Sequence, residues 1–269
     1  MKDIRIAAVV CRSRVHQIEE NISQIQKWVH AAKEKGVNLI CFPEMNVTGY
    51  SHLKDICRSA QDLSDPVVQN LMNLATSQDI TILAGIAEKH SENRVWASHL
   101  VLNPNGSCEV YRKVHIAPPE KDVLTAGNAI PIFKTQGVKF GIQLCYDAHF
   151  PELATFLAAN GADIIFLPHA SPRGTPESKY CSWMRHLPAR ACDNGVFIVA
   201  CNQAGDNDNG LQFPGLSVII GPSGDIIKRD TSGNEGMLVA DLKAGDLDAV
   251  RGHPMRYFFP NRRPELYRC

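Results

Sequence analysis

The sequence predicts an α/β protein in which a mixed sheet architecture carries its helices on the outside. Three observations predict it. Short apolar runs alternate with helical stripes along the chain. Turn signals, Asn103-Pro104-Asn105-Gly106 and Gly221-Pro222-Ser223-Gly224, place at least two hairpins among them. No repeat, linker or low-complexity tract interrupts the alternation. The 269 residues, 44% of them hydrophobic, suffice to bury one sizeable core, so a single domain over 1–269 is expected.

Ile4–Val10 reads as the first strand. From His16 to Lys35, Ile18, Ile22, Ile25, Trp28, Val29 and Ala32 share one helical stripe, which Gly36 stops. Val37–Phe42 is the next strand, Pro66–Ser77 a helix and Ile80–Ala87 a strand. Ser98–Leu102 and Glu109–His115 flank the Asn-Pro-Asn-Gly turn and form a hairpin. Lys139–Cys145 is a strand, Pro151–Asn160 a helix, Asp163–Leu167 a strand and Lys179–Asp193 one helix. Val196–Cys201, Leu216–Gly221, Ile226–Lys228 and Met237–Ala240 complete the strands.

Charge and composition exclude several function classes. Twenty-eight basic residues balance 28 acidic ones, so no overall field favours nucleic acid or an anionic membrane surface. Met1-Lys2-Asp3-Ile4-Arg5-Ile6 runs straight into a strand without a signal-peptide apolar stretch. No apolar run approaches the roughly 20 residues that cross a bilayer. Nine cysteines without a CxxC pair fit a reducing compartment better than a disulfide framework, so a cytoplasmic protein is expected. Nor do the cysteines and the ten histidines form a CxxC, HExxH or clustered pattern, so neither a metal nor a cofactor is expected. Gly205 to Gly210 encloses Asp206-Asn207-Asp208-Asn209, which reads as an exposed loop rather than a phosphate cradle.

One cysteine stands apart from the other eight. Cys145 follows the apolar run Val138-Lys139-Phe140-Gly141-Ile142-Gln143 and precedes Phe150-Pro151-Glu152, where proline suits a first helical turn. It therefore sits at a strand-to-helix corner, from which a thiol projects into a cleft and turn N–H groups face a developing negative charge. Cysteine is most often a small buried hydrophobe, and Cys41, Cys192 and Cys201 read that way.

Two partners raise Cys145 above them. Glu44 closes Val37-Asn38-Leu39-Ile40-Cys41-Phe42-Pro43-Glu44, so its carboxylate emerges at the end of a buried strand. Apolar walls raise such a pKa and suit it to general-base work near neutral pH. Lys113 lies in Val110-Tyr111-Arg112-Lys113-Val114-His115, where a lysine among apolar and aromatic residues can supply charge to an oxyanion. Taken singly, each is more commonly a solvated surface residue.

In this order, Phe42-Pro43-Glu44-Met45 with Gly49-Tyr50, Tyr111-Arg112-Lys113-Val114-His115 and Cys145-Tyr146-Asp147 resemble the nitrilase superfamily of carbon–nitrogen hydrolases. Its signature is a Glu-Lys-Cys triad. The resemblance spans nearly the whole chain, including Asn202-Gln203 and the Gly221–Gly224 turn. It implies a four-layer αββα sandwich of two six-stranded sheets, and a homodimer of eight layers. It implies further that Glu120 holds Lys113 and the leaving group, and that the Tyr146 N–H helps bind the oxyanion. The repeated string Phe150-Pro151-Glu152 does not add a catalytic group, since Glu152 sits in a first helical turn, where it favours the helix dipole.

The implied reaction is hydrolysis of a small amide or N-carbamoyl compound through a cysteine thioester, releasing ammonia or an amine. Nitrilases of the superfamily usually carry Trp-Glu after the cysteine, whereas Tyr146-Asp147 matches amidase and carbamoylase branches. Relatives that cleave N-carbamoyl-D-amino acids place arginines where this chain has Ala148 and His149. Arg173, in the loop after a strand near the site, is a candidate replacement, and His149, His169 and Trp183 are further candidates for substrate contact. A papain-like hydrolase is disfavoured, because no cysteine lies in a Cys-Gly-Ser-Cys-Trp context. A nitrile-hydrolysing enzyme and a non-catalytic binding protein on the same fold remain open. The aromatic tail 253–269, with Tyr257, Phe258 and Phe259, needs a place to bury its rings, either on its own subunit or across a dimer interface.

Overall fold

The structure, a computed structural model, describes residues 1–266. Tyr267, Arg268 and Cys269, the end of the expected tail, lie outside the described residues. In chain order the elements are β1 (Ile4–Val10), α1 (Ile18–Glu34), β2 (Leu39–Cys41), α2 (Pro66–Gln78), β3 (Thr81–Ser91), β4 (Arg94–Leu102) and β5 (Cys108–Arg112). There follow β6 (Phe133–Thr135), β7 (Val138–Ile142), α3 (Pro151–Ala159), β8 (Ile164–His169), α4 (Pro176–Trp183) and α5 (Leu187–Asn194). The chain continues through β9 (Phe197–Asn202), β10 (Ala204–Asp206), β11 (Gln212–Pro214), β12 (Ser217–Ile220), β13 (Ile226–Asp230), β14 (Gly236–Leu242) and α6 (Ala244–Arg251).

Two six-stranded sheets run in the orders β14-β1-β2-β3-β4-β5 and β13-β12-β9-β8-β7-β6. Their inner strands read as near-continuous apolar runs because both faces are covered. In β1, Ile6 and Ala8 face the core between the sheets, while Ala7 and Val9 face a second core under α1 and α2. In β8, Ile164 and Phe166 enter the central core, and Ile165 and Leu167 pack beneath α3 and α5. One strand thus supplies two cores by its period of 2, and the layers are α, β, β, α. Truncating a ring such as Phe166, packed edge-on against Phe140 with centroids 5.4 Å apart, is expected to cost about 3–5 kcal/mol. Among the described residues no helix is long and apolar enough to cross a membrane.

The expected helix Lys179–Asp193 is two helices, α4 and α5. Pro188 lies in the first turn of α5, and its ring cannot continue a helix arriving from Met184 four residues earlier. His186 opens α5 from φ −139°, ψ −37°, outside helical geometry. Four further elements escaped the pattern. β6 is only three residues long, α6 follows the last strand, and β10 and β11 make a small separate hairpin. The loop between β10 and β11 is not wholly exposed: Asn207 is buried and donates through Nδ2 to the Tyr50 carbonyl at 2.9 Å. In the tail, Tyr257 lies over Gly195 of its own chain, while Phe258 stays 53% exposed.

Candidate active site

Glu44 sits in the segment after β2, which behaves as a surrogate strand alongside β3. The Val47 N–H donates to the Gly85 carbonyl at 2.9 Å. Asn46 Oδ1 accepts from Gly85 N at 2.8 Å, and Thr48 Oγ1 accepts from Ala87 N at 2.9 Å. The close approach requires glycine, since a Cβ on Gly85 would stand 2.2 Å from Met45 N. From the opposite sheet, Gln203 Nε2 donates to the Glu44 carbonyl at 2.8 Å. The backbone of Glu44 is therefore held by both sheets, and its side chain is fully buried.

Lys113 follows β5 and is also fully buried. Its Nζ donates to Glu44 Oε1 at 2.8 Å and to Glu120 Oε1 at 2.9 Å. Each carboxylate is then completed by other donors: Ala170 N to Glu44 Oε2 at 3.0 Å, Ala117 N to Glu120 Oε2 at 2.9 Å, and the Tyr50 hydroxyl to Glu120 Oε1 at 2.7 Å. Buried charges persist only when paired and hydrogen-bonded in this way.

Cys145 opens a single 3-10 turn after β7 with φ +45°, a left-handed conformation uncommon for a side-chain-bearing residue. Such a conformation costs on the order of 1–3 kcal/mol and persists where its surroundings over-determine it. Buried Asp147 does this. Its Oδ2 accepts from Leu144 N at 2.9 Å and from the Tyr111 hydroxyl at 2.7 Å. Its Oδ1 accepts from His115 N at 2.9 Å. The cysteine corner is thereby tied to the segment that carries Lys113.

Half-buried Cys145 shares with Glu120, Tyr146, His149, Ser171 and Arg173 the wall of a cavity of about 300 Å³. Glu44 and Lys113 lie beneath it. Burial pushes the Glu44 carboxyl above its ordinary pKa, and the opposing Lys113 charge does not cancel this. For Lys113, burial favours the neutral amine, but the Glu44 and Glu120 charges outweigh it and hold the ammonium. Burial, and next the Glu44 charge, push the Cys145 thiol up, so the resting sulfur is protonated. Two carboxyl groups thus face one ammonium.

The structure brings Glu44, Lys113 and Glu120 into direct contact and places Cys145, Tyr146, His149 and Arg173 on the same cavity. His169 and Trp183 lie behind that wall, their rings 4.4 Å apart under α4, with His169 Nδ1 at 2.7 Å from the Leu167 carbonyl oxygen. Tyr50, His52, Ser171 and Asp147 belong to the site or its support without having been singled out in the sequence. Gly49-Tyr50 and Tyr146-Asp147 did stand in the quoted motifs, which was the only signal for two of them. Among the described residues no group of three or more His, Cys, Asp or Glu is arranged to hold a metal ion.

Comparison with known proteins identifies the family. The carbon–nitrogen hydrolase family matches residues 5–252. A probable nitrilase of Schizosaccharomyces pombe is 33% identical over 269 residues, covering 98% of this chain and 97% of its own. An N-carbamoylputrescine amidase of Solanum tuberosum is 28% identical over 273 residues, covering 93% of this chain and 89% of its own. An amidase of Nesterenkonia sp. AN1 superposes with a TM-score of 0.84 at 26% identity, over 98% of this chain and 95% of that one. That structure, of a variant, shows covalent addition of the acetamide moiety of fluoroacetamide at the active-site cysteine. With two facing six-stranded sheets between helical layers, the chain belongs to the carbon–nitrogen hydrolase family of the nitrilase superfamily.

Proposed function

We propose that this chain hydrolyses the C–N bond of a small linear amide or N-carbamoyl compound through a thioester on Cys145. The observation that carries the reading is the buried Glu44–Lys113–Glu120 cluster, whose Glu120 shares a cavity wall with Cys145.

Glu44 takes the proton of Cys145, since the thiolate is the nucleophile. Transfer to Glu44 leaves the net charge of the site unchanged, whereas release to solvent adds a second negative charge in a buried place. The raised pKa of Glu44 gives it the proton affinity this transfer needs. The thiolate adds to the carbonyl carbon, and the π electrons move onto oxygen. Two N–H groups of Lys113 point at Glu44 and Glu120, which leaves the third for that oxyanion, beside the Tyr146 N–H. As the tetrahedral species collapses, the C–N bond breaks. Glu44 returns its proton to the departing nitrogen, so ammonia or an amine leaves. Water then adds to the thioester carbon and gives its proton to Glu44. The C–S bond breaks, the sulfur regains a proton through Glu44, and the acid departs. Every step uses this chain's residues and water. The trapped cysteine adduct of the Nesterenkonia amidase supports the covalent route.

The S. pombe relative, a probable nitrilase, favours a second reading in which the substrate is a small nitrile. An amide needs a proton on its nitrogen at the first tetrahedral stage; a nitrile forms a thioimidate that must be hydrated before nitrogen leaves. Tyr146-Asp147 in place of Trp-Glu favours the amide. Ammonia release from matched amide and nitrile pairs decides between them. The expected result is a higher kcat/KM for the amide. A clear preference for the nitrile, with acid as product, would overturn the amide assignment, and no ammonia from either would return a non-catalytic role.

A further inference from the structure

We propose that the substrate carries a carboxylate at the end remote from its amide, and that Arg173 binds it. The inference rests on the reading of the Cys145 cavity as an amide-hydrolysing site.

The cavity has a buried end and an exposed end. At the inner end Glu120 and Cys145 stand over the Glu44–Lys113 pair, where two carboxylates face one ammonium. At the outer end the wall is formed by partly exposed His52 and by exposed His149 and Arg173. Glu120 is the one carboxylate in this wall, and it is engaged by Lys113, Tyr50 and Ala117. Nothing acidic in the wall is left to neutralise Arg173. Among the described residues Arg173 makes no ion pair, so its charge is free within this wall.

Its backbone is held in place. The Arg173 N–H donates to the Gln212 carbonyl at 3.0 Å, and φ is +70°, a conformation an ordinary loop arginine avoids. A second cation, whose charge also reaches Cys145, braces the same loop: Lys179 Nζ donates to Ser171 Oγ at 2.8 Å and to the Pro172 carbonyl at 3.2 Å. The loop after β8 therefore gathers positive charge on one side of the cavity. A planar guanidinium there takes a carboxylate by two parallel hydrogen bonds. A neutral tail leaves it unused, and an ammonium tail is repelled. A volume of about 300 Å³ lies at the lower end for small-molecule sites, so the chain between amide and carboxylate is short.

The test compares three amides of one chain length: pentanamide, its analogue ending in a carboxylate (glutaramic acid), and its analogue ending in an ammonium (5-aminopentanamide). The expected order of kcat/KM is carboxylate first by about tenfold or more, then neutral, then ammonium. Arg173→Met is expected to lower the carboxylate-to-neutral ratio about 10- to 100-fold, chiefly through KM, and Arg173→Lys to restore part of it. Circular dichroism confirms that each variant is folded. The proposal is overturned if the ammonium amide is preferred, if Arg173→Met lowers all three rates alike, or if the ratio does not move. No ammonia from any of the three is a separate failure, that of the amide reading beneath it.

Discussion

The Tyr111 hydroxyl donates to Asp147 Oδ2 at 2.7 Å and so joins the strand leading to Lys113 to the corner that carries Cys145. Tyr111 lies in β5 of one sheet and Asp147 in the turn that follows β7 of the other, and both are buried. Asp147 also accepts from Leu144 N and His115 N, so removing its carboxylate strands two buried donors and one half-buried donor at once. Each costs about 1–3 kcal/mol when left unmatched. Asp147→Ala is therefore expected to lose more than about 3 kcal/mol of stability in urea unfolding, and Asp147→Asn less, since one acceptor oxygen remains. A loss below about 1 kcal/mol in the alanine variant would remove Asp147 from its supporting role.

Lys113→Ala is expected to lower kcat by about 100-fold or more, from the missing oxyanion charge. It also leaves Glu44 and Glu120 buried side by side without a cation, which is expected to cost about 3–5 kcal/mol of stability. Kinetics and urea unfolding of the same preparation read both effects. An unchanged kcat would take Lys113 out of the mechanism.

Much of this was legible in the sequence because chemistry-bearing residues followed apolar runs. Phe42-Pro43-Glu44 and Leu144-Cys145 each end a buried strand, and strand ends aim side chains at the rim of a sheet. Lys113 and Glu120 were legible only through motif order, since nothing local says that a lysine after Tyr111-Arg112 turns inward. The supporting role of Asp147 is not legible, because its partners Tyr111 and His115 lie 36 and 32 residues away. Such a contact has no local pattern. The helix expected over Lys179–Asp193 followed its 3.6-residue spacing past Pro188, where backbone chemistry overrides periodicity. His169 was expected at the site because it ends β8, yet the pleat turns its ring to the helix side, onto Trp183.

Two buried histidines contribute to the acid dependence of stability. Burial pushes both His99 and His169 down to about 3. The folded pKa lies below the unfolded value of about 6.5, so only the unfolded chain takes up these protons between the two values. Stability is complete above about pH 6.5 and is lost as pH falls toward 3, by about 1.4 kcal/mol per pH unit for each group. His99→Leu is expected to flatten the dependence by that amount between pH 6 and pH 4, measured by urea unfolding. An unchanged slope would mean that His99 is not held neutral in the fold.

Exposed Met255, Phe258 and Phe156 leave apolar surface beside α3 and the tail, and we infer that this face joins two copies of the chain. Sedimentation at micromolar concentration is expected to give a dimer, weakened by deletion of residues 253–269. A stable monomer of the full chain would contradict the inference.

In the proposed mechanism the sulfur of Cys145 carries the acyl group. Intact-mass spectrometry of the enzyme, quenched in acid during turnover of a slow amide, tests it directly. The expected result is a mass increase equal to the acyl fragment, mapped to Cys145 and absent from a folded, inactive Cys145→Ala variant. Full activity of that variant, or steady ammonia release with acyl carried on another residue, would contradict the account.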